Sequence, residues 1–262
     1  MQSTTLGPNL TGAAIAPAAV EAMNEAADAL TPVSGIDRSD MEAQKLRFIG
    51  EAKAIGSVPL PSGQKGAIKA GASKQQGGEP TIFLDKLGER LAYERTGVRL
   101  YDALILKCRA TEEALGQPLL TAARAGDDNG QEAAESATET LMRIRAEELV
   151  HFNLLRAAME QMGGDPTAIT PCADVMSVAA SGFMQVLNDP RTTLAQSLNA
   201  MLAVELADNA GWELLTVLAE DAGQSDLAGQ FLGALAQEQE HLAIVKGWLT
   251  DIMSDDPQPV LA

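Results

Sequence analysis

Apolar residues recur at alternating steps of three and four positions in four long stretches of the chain. This spacing places side chains on one continuous face of an α-helix, so each stretch is predicted to be an amphipathic helix. The four predicted helices cover residues 81–115, 130–162, 191–222 and 225–253. Turns rich in Gly, Pro, Asp and Ser separate them, and the pattern therefore predicts four long helices that bury a common core.

Three shorter segments also have a helical pattern, at residues 17–30, 38–55 and 171–188. The first two precede residues 59–80, a stretch with the Gly, Pro and Lys content of a linker or a surface arm. We therefore divide the chain into an N-terminal extension with its linker, residues 1–80, and a helical domain, residues 81–262. The third short segment lies in the long connection between the second and third long helices, which is typical of a four-helix bundle with one crossover.

Each of the four apolar faces carries a glutamate near its middle, and two faces carry a histidine three residues after it. In chain order the residues are Glu94, Glu148 with His151, Glu205, and Glu238 with His241. The chain has two histidines, and both belong to such a Glu-x-x-His pair. Since residues three apart share one side of a helix, each pair directs its carboxylate and its imidazole toward the same neighbours.

Four carboxylates that face an apolar core require compensation, because burial of an isolated carboxylate costs several kcal/mol or more. No lysine or arginine is expected on these faces, whereas two divalent cations would balance the four glutamates, and two neutral imidazoles would complete the coordination. The glutamates also lie at comparable distances from the turns that join their helices. The sequence therefore predicts a dinuclear metal site, and the alternative is two ordinary core histidines beside surface glutamates.

Four further glutamates lie on or beside the edges of the apolar faces. They are Glu89, Glu147, Glu213 and Glu240. They are predicted to be solvated helix charges, and the alternative for Glu147 and Glu240 is contact with the metal ligands.

The composition agrees with an all-α protein and limits its partners. Alanine is abundant and aromatic residues form 3% of the chain, which favours helices over strands. A net charge of −17 argues against nucleic acid and against an anionic membrane, because both are polyanions. No apolar run of about 18 residues and no basic-then-apolar leader is found, so neither a membrane span nor a secretory signal is expected. Cys108 and Cys172 are isolated, which indicates a reducing, cytoplasmic setting and argues against rubredoxin-type and zinc-ribbon modules.

The order Glu, Glu-x-x-His, Glu, Glu-x-x-His across residues 81–253 resembles the ferritin-like superfamily of di-iron carboxylate proteins, especially bacterioferritins and rubrerythrins. The segments LAVELADNAGWELL and EQEHLAIVKGWL are similar to the third and fourth helices of bacterioferritin. The resemblance implies an all-α, ferritin-like four-helix bundle with a long crossover between its second and third helices and an N-terminal extension. That extension departs from compact cage-forming ferritins, so a storage shell is not implied.

The resemblance also implies a role for each candidate residue. Glu148 and Glu238 would bridge the two metals, Glu94 and His151 would complete one of them, and Glu205 and His241 would complete the other. Tyr101, seven residues after Glu94, occupies the place of an aromatic residue near the metals and is the candidate catalytic residue. Leu149 stands where bacterioferritin has its haem-ligating methionine, so no haem is expected.

Carboxylate-rich ligation with one imidazole per metal suits two iron ions, with two manganese ions as the alternative. The family implies oxidation of Fe(II) by O₂ or H₂O₂, which is a ferroxidase-type activity in iron handling or oxidant defence, and it implies a homo-oligomer. A manganese catalase or a rubrerythrin-like peroxidase is a second hypothesis for an enzymatic function. A third hypothesis is a non-catalytic metal-binding or assembly protein whose N-terminal arm recruits a partner.

Overall fold

The computed structural model describes residues 12–31, 37–60, 80–116, 121–123 and 134–254. The described residues fall into two compact units, of which the first comprises residues 12–31 and 37–54 and the second begins at Ile55. The first unit contains helices α1 (Pro17–Leu30) and α2 (Ser39–Glu51), and no residue within these two helices is buried. Helix α1 has the predicted bounds, and α2 ends earlier than the predicted helix 38–55.

The described part of the second unit contains five helices and one short antiparallel ribbon. The helices are α3 (Pro80–Leu115), α4 (Ala137–Gln161), α5 (Pro171–Asn188), α6 (Leu194–Asp221) and α7 (Ser225–Ser254). The ribbon pairs β1 (Thr121–Ala123) with β2 (Ala134–Ser136). Apart from this ribbon, the regular structure of the described residues is helical. None of the described helices combines the length and the apolarity that a membrane crossing requires.

Two apolar clusters show the direction in which each long helix runs. One cluster includes Leu87 of α3, Leu155 of α4, Trp212 of α6 and Phe231 of α7. The other includes Leu104 of α3, Leu141 of α4, Leu198 of α6 and Trp248 of α7. The N-terminal halves of α3 and α7 therefore share a cluster with the C-terminal halves of α4 and α6. Helices α3 and α7 run in one direction, and α4 and α6 run in the opposite direction.

The parallel course of α4 and α6 requires the connection between them to return along the length of the helices. Helix α5 occupies this connection and packs mainly against α3. The structure thus contains the long connection that the sequence predicts between the second and third long helices. As a result, α3 contacts three other helices, α4, α5 and α6.

Local sequence chemistry explains where the helices begin. The Ser136 hydroxyl accepts a hydrogen bond from the backbone N–H of Glu139, whose carboxylate accepts one from the N–H of Ser136, so α4 starts with a capping box. Thr193 and Gln196 form the same arrangement at the start of α6. The predicted start of the second long helix at residue 130 was too early, because residues 134–136 form β2 and its last residue, Ser136, caps the helix. Residues 130–133 lie outside the described residues.

Candidate metal centre

The structure brings all six predicted ligands together, between the two apolar clusters. They are Glu94 on α3, Glu148 and His151 on α4, Glu205 on α6, and Glu238 and His241 on α7. All six side chains are buried, and the most exposed of them, Glu148, has only 3% of its surface accessible. The candidate centre is therefore shielded from bulk water by the helices that form it.

The ligand atoms form three overlapping groups, within each of which all atoms lie within 4.8 Å of one another. The first group is Glu148, Glu205, Glu238 and His241; the second is Glu94, His151 and Glu238; the third is Glu94, Glu148, Asp208 and Glu238. Glu238 belongs to all three groups, and Glu94 and Glu148 each belong to two of them, so neighbouring groups share carboxylates as two adjacent metal positions would. Each histidine belongs to a different group, so the arrangement offers one imidazole for each of two metal positions.

Both imidazoles turn the same nitrogen toward the carboxylates. The Nδ1 atom of His241 lies 3.1 Å from Glu238 Oε2, and the Nδ1 atom of His151 lies 2.5 Å from Glu238 Oε1. On the far side of each ring, Nε2 contacts an acceptor, which is Glu147 Oε2 for His241 and Gln237 Oε1 for His151, both at 2.8 Å. An imidazole that donates through Nε2 has its Nδ1 lone pair available for a metal, because only one ring nitrogen of the neutral form carries a proton.

The two outer acceptors follow a rule that is visible in the sequence. Glu147 directly precedes the glutamate of the first Glu-x-x-His pair, and Gln237 directly precedes the glutamate of the second. Each contacts the histidine of the other pair, so α4 and α7 hold one another's imidazoles. The repeated pattern Glu/Gln-Glu-x-x-His is the sequence signal from which these two outer contacts could have been predicted. Glu147 is thus in contact with a candidate ligand, whereas Glu240, which is half-exposed, pairs with Arg143.

The two glutamates outside the Glu-x-x-His pairs each have one engaged and one free oxygen. Glu205 Oε1 accepts a hydrogen bond of 2.5 Å from the Tyr101 hydroxyl, and Glu94 Oε1 accepts one of 2.7 Å from Arg90 Nη2. Among the described residues, neither Glu205 Oε2 nor Glu94 Oε2 has a hydrogen-bond partner. Buried carboxylate oxygens are nearly always satisfied in folded proteins, so these two free oxygens are available as ligands for a cation.

The candidate catalytic residue lies beside one metal position. The Tyr101 side chain is fully buried, and its ring centre lies 6.5 Å from that of His241. Burial, together with the nearby carboxylates Glu205 and Glu148, raises the pKa of the phenol well above its ordinary value, so Tyr101 remains a hydrogen-bond donor to Glu205 at neutral pH.

Arg90 is buried in the helical core, so the expectation that no cation lies on the apolar faces was wrong. It is 2% exposed and forms ion pairs with Glu94 and with Asp208. Its guanidinium lies 4.4 Å from the centre of the Tyr93 ring. Gly211 on α6 provides the space, because a β-carbon there would lie 2.5 Å from Arg90 Nη1. The prediction was wrong about charge in the core, and the site contains its own fixed cation.

The packing of α3 explains why the sequence pattern did not reveal this cation. Because α3 contacts three helices, residues beside its apolar face are buried along with those on it. Glu89, which the pattern assigns to solvent, is likewise only 7% exposed and accepts a hydrogen bond of 2.6 Å from Lys86 Nζ. A helix covered on several sides does not show a clean alternation of apolar and polar faces.

The buried charges still leave a negative excess. Five carboxylates lie in the centre, from the four predicted glutamates and Asp208, against the one guanidinium of Arg90. With both imidazoles neutral, four negative charges are uncompensated. Two divalent cations would match this number, so the corrected charge count leads to the same metal stoichiometry as the original one.

Several ionisable groups of the centre bind protons more tightly than usual. Burial and the charge of Glu238 raise the pKa of Glu205 to about 8 and that of Glu148 well above its ordinary value. Burial also acts on Glu238, but hydrogen bonds from His151 and His241 outweigh it and hold that pKa at about 2. For His241, contacts with Glu147, Glu148 and Glu238 outweigh the opposing effect of burial and raise the pKa to about 12. A metal ion that bound here would therefore displace protons.

We expect the metal-free protein to lose stability as the pH rises from about 5 to about 8. Glu205 has a pKa of about 8 in the folded protein against an ordinary 4.5, and His241 about 12 against 6.5. Each contributes stability that is fully present below its unfolded pKa and is lost as the pH rises toward its folded pKa. Thermal unfolding in the presence of a chelator should show a falling midpoint, by about 2–4 °C for each kcal/mol lost.

Metal-saturated protein supplies the control for this prediction, because bound cations remove the need for those protons. Its unfolding midpoint should hold or rise over the same pH window. A midpoint of the metal-free protein that rises from pH 5 to pH 8 would contradict the assignment of buried, protonated groups.

Comparison of the chain with protein-family models, with curated proteins and with solved structures yields no match. The candidate centre is therefore characterised by its own geometry and by the chemistry of its donors.

Proposed function

We propose that this chain is a ferritin-like dinuclear-metal protein that oxidises Fe(II) with O₂ or H₂O₂. The observation that carries the proposal is the buried cluster of four glutamates and two histidines from four helices, with free carboxylate oxygens and two Nδ1 atoms directed inward. One imidazole per metal with a majority of carboxylate oxygens suits iron, and it suits manganese second.

The helix arrangement supports the ferritin-like part of the proposal. Among the described helices, α3 with α4 and α6 with α7 make the most extensive pairwise contacts, and a long connection joins the two pairs. Ferritin-like di-iron proteins combine such a crossover with one glutamate on each of two helices and Glu-x-x-His on each of the other two.

The side chains of this chain would bind and orient the metals. Glu148 and Glu238 would bridge the two positions, Glu94 and His151 would complete the first, and Glu205 and His241 would complete the second. Two bound Fe(II) ions would supply two electrons in total, which are enough to reduce O₂ to H₂O₂ or H₂O₂ to two molecules of water. The Tyr101 hydroxyl holds Glu205 Oε1, and the two apolar clusters keep water away from the reacting centre.

The test is anaerobic loading of the metal-free protein with two Fe(II) ions per chain, followed by exposure to O₂ or to H₂O₂. We expect Fe(III) absorbance to develop much faster than in a protein-free control with the same iron. The Tyr101→Phe variant removes the hydroxyl that holds Glu205 and should retain both metals but oxidise iron more slowly.

The same loading experiment separates the alternatives. Disproportionation of H₂O₂ by the manganese-loaded protein, without accelerated Fe(II) oxidation, would indicate a manganese catalase. Binding of two metals without turnover by either oxidant would indicate a metal-binding or assembly role. Failure to bind two metals per chain would exclude the proposed centre.

A further inference from the structure

The two proposed metal positions are similar in their ligands but different in what holds those ligands. We call the position with Glu94 and His151 the Glu94 position, and the position with Glu205 and His241 the Glu205 position. In each position, one group that is not itself a proposed ligand contacts the glutamate belonging to that position alone, and another such group contacts the imidazole. The four outer groups therefore allow a direct comparison of the two positions.

The groups that contact the ligands of the Glu205 position are a neutral hydroxyl and a negatively charged carboxylate. Glu205 Oε1 accepts a hydrogen bond from the neutral hydroxyl of Tyr101. His241 Nε2 donates to the carboxylate of Glu147, at 2.8 Å. A carboxylate that accepts from the outer nitrogen of an imidazole increases the basicity of the inner nitrogen, which strengthens its bond to a metal.

The outer contacts of the Glu94 position act in the opposite direction. Glu94 Oε1 is engaged by the guanidinium of Arg90, a permanent cation, at 2.7 Å. His151 Nε2 contacts the neutral amide oxygen of Gln237, at 2.8 Å. Compared with the Glu205 position, a cation replaces a neutral hydroxyl and a neutral amide replaces a carboxylate, so both differences weaken metal binding.

The counter-ions of these outer groups reduce the contrast but do not remove it. Asp208 pairs with Arg90, and Arg143 pairs with Glu147. Arg143 lies one contact further from His241 than Glu147 does, whereas an oxygen of Asp208 lies within 4.8 Å of the ligand oxygens of Glu94, Glu148 and Glu238. The contrast between the two positions therefore rests mainly on Glu147 against Gln237.

We infer that the two positions bind divalent metal with unequal affinity, and that Gln237 and Glu147 rank them so that the Glu205 position fills first. This inference rests on the proposed dinuclear centre. The metal ion at the Glu205 position would then stay bound, and the metal ion at the Glu94 position would exchange. An incoming metal substrate would bind at the Glu94 position and leave from it.

The pair Glu147 and Gln237 offers isosteric exchanges that test the ranking. Full-length protein is titrated with Co²⁺ and followed by calorimetry and by visible absorbance. A crystal loaded with one equivalent of Co²⁺ then reports the occupied position by anomalous scattering. The wild type should show two dissociation constants at least about tenfold apart, with the first ion at the Glu205 position.

The variants should move these constants in opposite directions. Glu147→Gln should weaken the tighter site by roughly 10–100-fold, and Gln237→Glu should tighten the weaker site. The double exchange E147Q/Q237E should narrow or invert the order of filling. These changes keep side-chain volume, and a role limited to packing would leave the ratio of the two constants unchanged.

Two results would overturn the inference and leave the proposed centre intact: equal occupancy of both positions at one equivalent, or first occupancy of the Glu94 position. A ratio of constants that none of the three variants alters would also overturn it. Absence of any Co²⁺ binding by the wild type would instead defeat the dinuclear centre itself, and the ranking with it.

Discussion

Replacement of Glu238 by glutamine is expected to abolish metal binding at both positions. Glu238 belongs to all three groups of ligand atoms, and among the four glutamates of the centre it alone has a pKa below its ordinary value, held there by contacts with both histidines. An amide keeps the volume but removes the charge that two cations would share. The loss should exceed the roughly 10–100-fold that is typical of outer contacts, and elemental analysis after dialysis should find fewer than one metal per chain.

The matched control is Glu240→Gln on the same helix. Glu240 is half-exposed and pairs with Arg143 rather than with a candidate ligand, so its variant should keep two metals. Circular dichroism of both metal-free variants should remain helical, because the two apolar clusters are unchanged. Full metal content in E238Q would defeat the assignment of Glu238 as the shared ligand.

Replacement of Gly97 by alanine is expected to weaken metal binding without unfolding the protein. Gly97 lies on α3 against α4, and a β-carbon there would overlap Glu148 Oε2 and lie 3.0 Å from its carboxyl carbon. Overpacking of this kind costs about 1–3 kcal/mol. If the displaced carboxylate carries that cost, metal affinity falls by roughly 5–150-fold. The metal-free protein should lose much less, because alanine gains up to about 1 kcal/mol over glycine within a helix.

Gly233→Ala provides the comparison, since Gly233 lies within α7 and a β-carbon there would meet no atom within 4 Å. This control should gain stability from the same helix preference and keep its metal affinity. The difference between the two variants, measured by metal titration and by thermal unfolding, isolates the effect of the space beside Glu148. Equal metal affinities in G97A and G233A would show that Glu148 does not depend on that space.

The sequence was sufficient to predict the helices and the six residues that meet in the centre. Regular spacing is a local property, and a glutamate such as Glu205 that interrupts an otherwise apolar face is visible without knowledge of the fold. The start of α4 was less predictable, because the polar residues before Ser136 are compatible with both a helix and a turn. Only the capping box, with Glu139 at its third position, distinguishes them.

The contacts around the ligands depend on which helices become neighbours, and a single helical face does not contain that information. The burial of Arg90 requires α6 to present Gly211 at the same height, and the contact from Glu147 to His241 requires α4 to lie against α7. These contacts join residues far apart in sequence. Periodicity therefore predicts which residues face inward but not which side chains hold them.

The crossed contacts between α4 and α7 determine when, during synthesis, the proposed metal positions would become complete. A growing chain that has reached the end of α4 carries Glu94, Glu148 and His151, but the acceptor that orients His151 and the carboxylate shared by both positions come from α7. The ribosome synthesises α7 last, so an incomplete chain lacks these groups and cannot yet hold a cation in the proposed centre. Under the proposed function, selection of the metal would therefore wait until α7 has been synthesised and has docked.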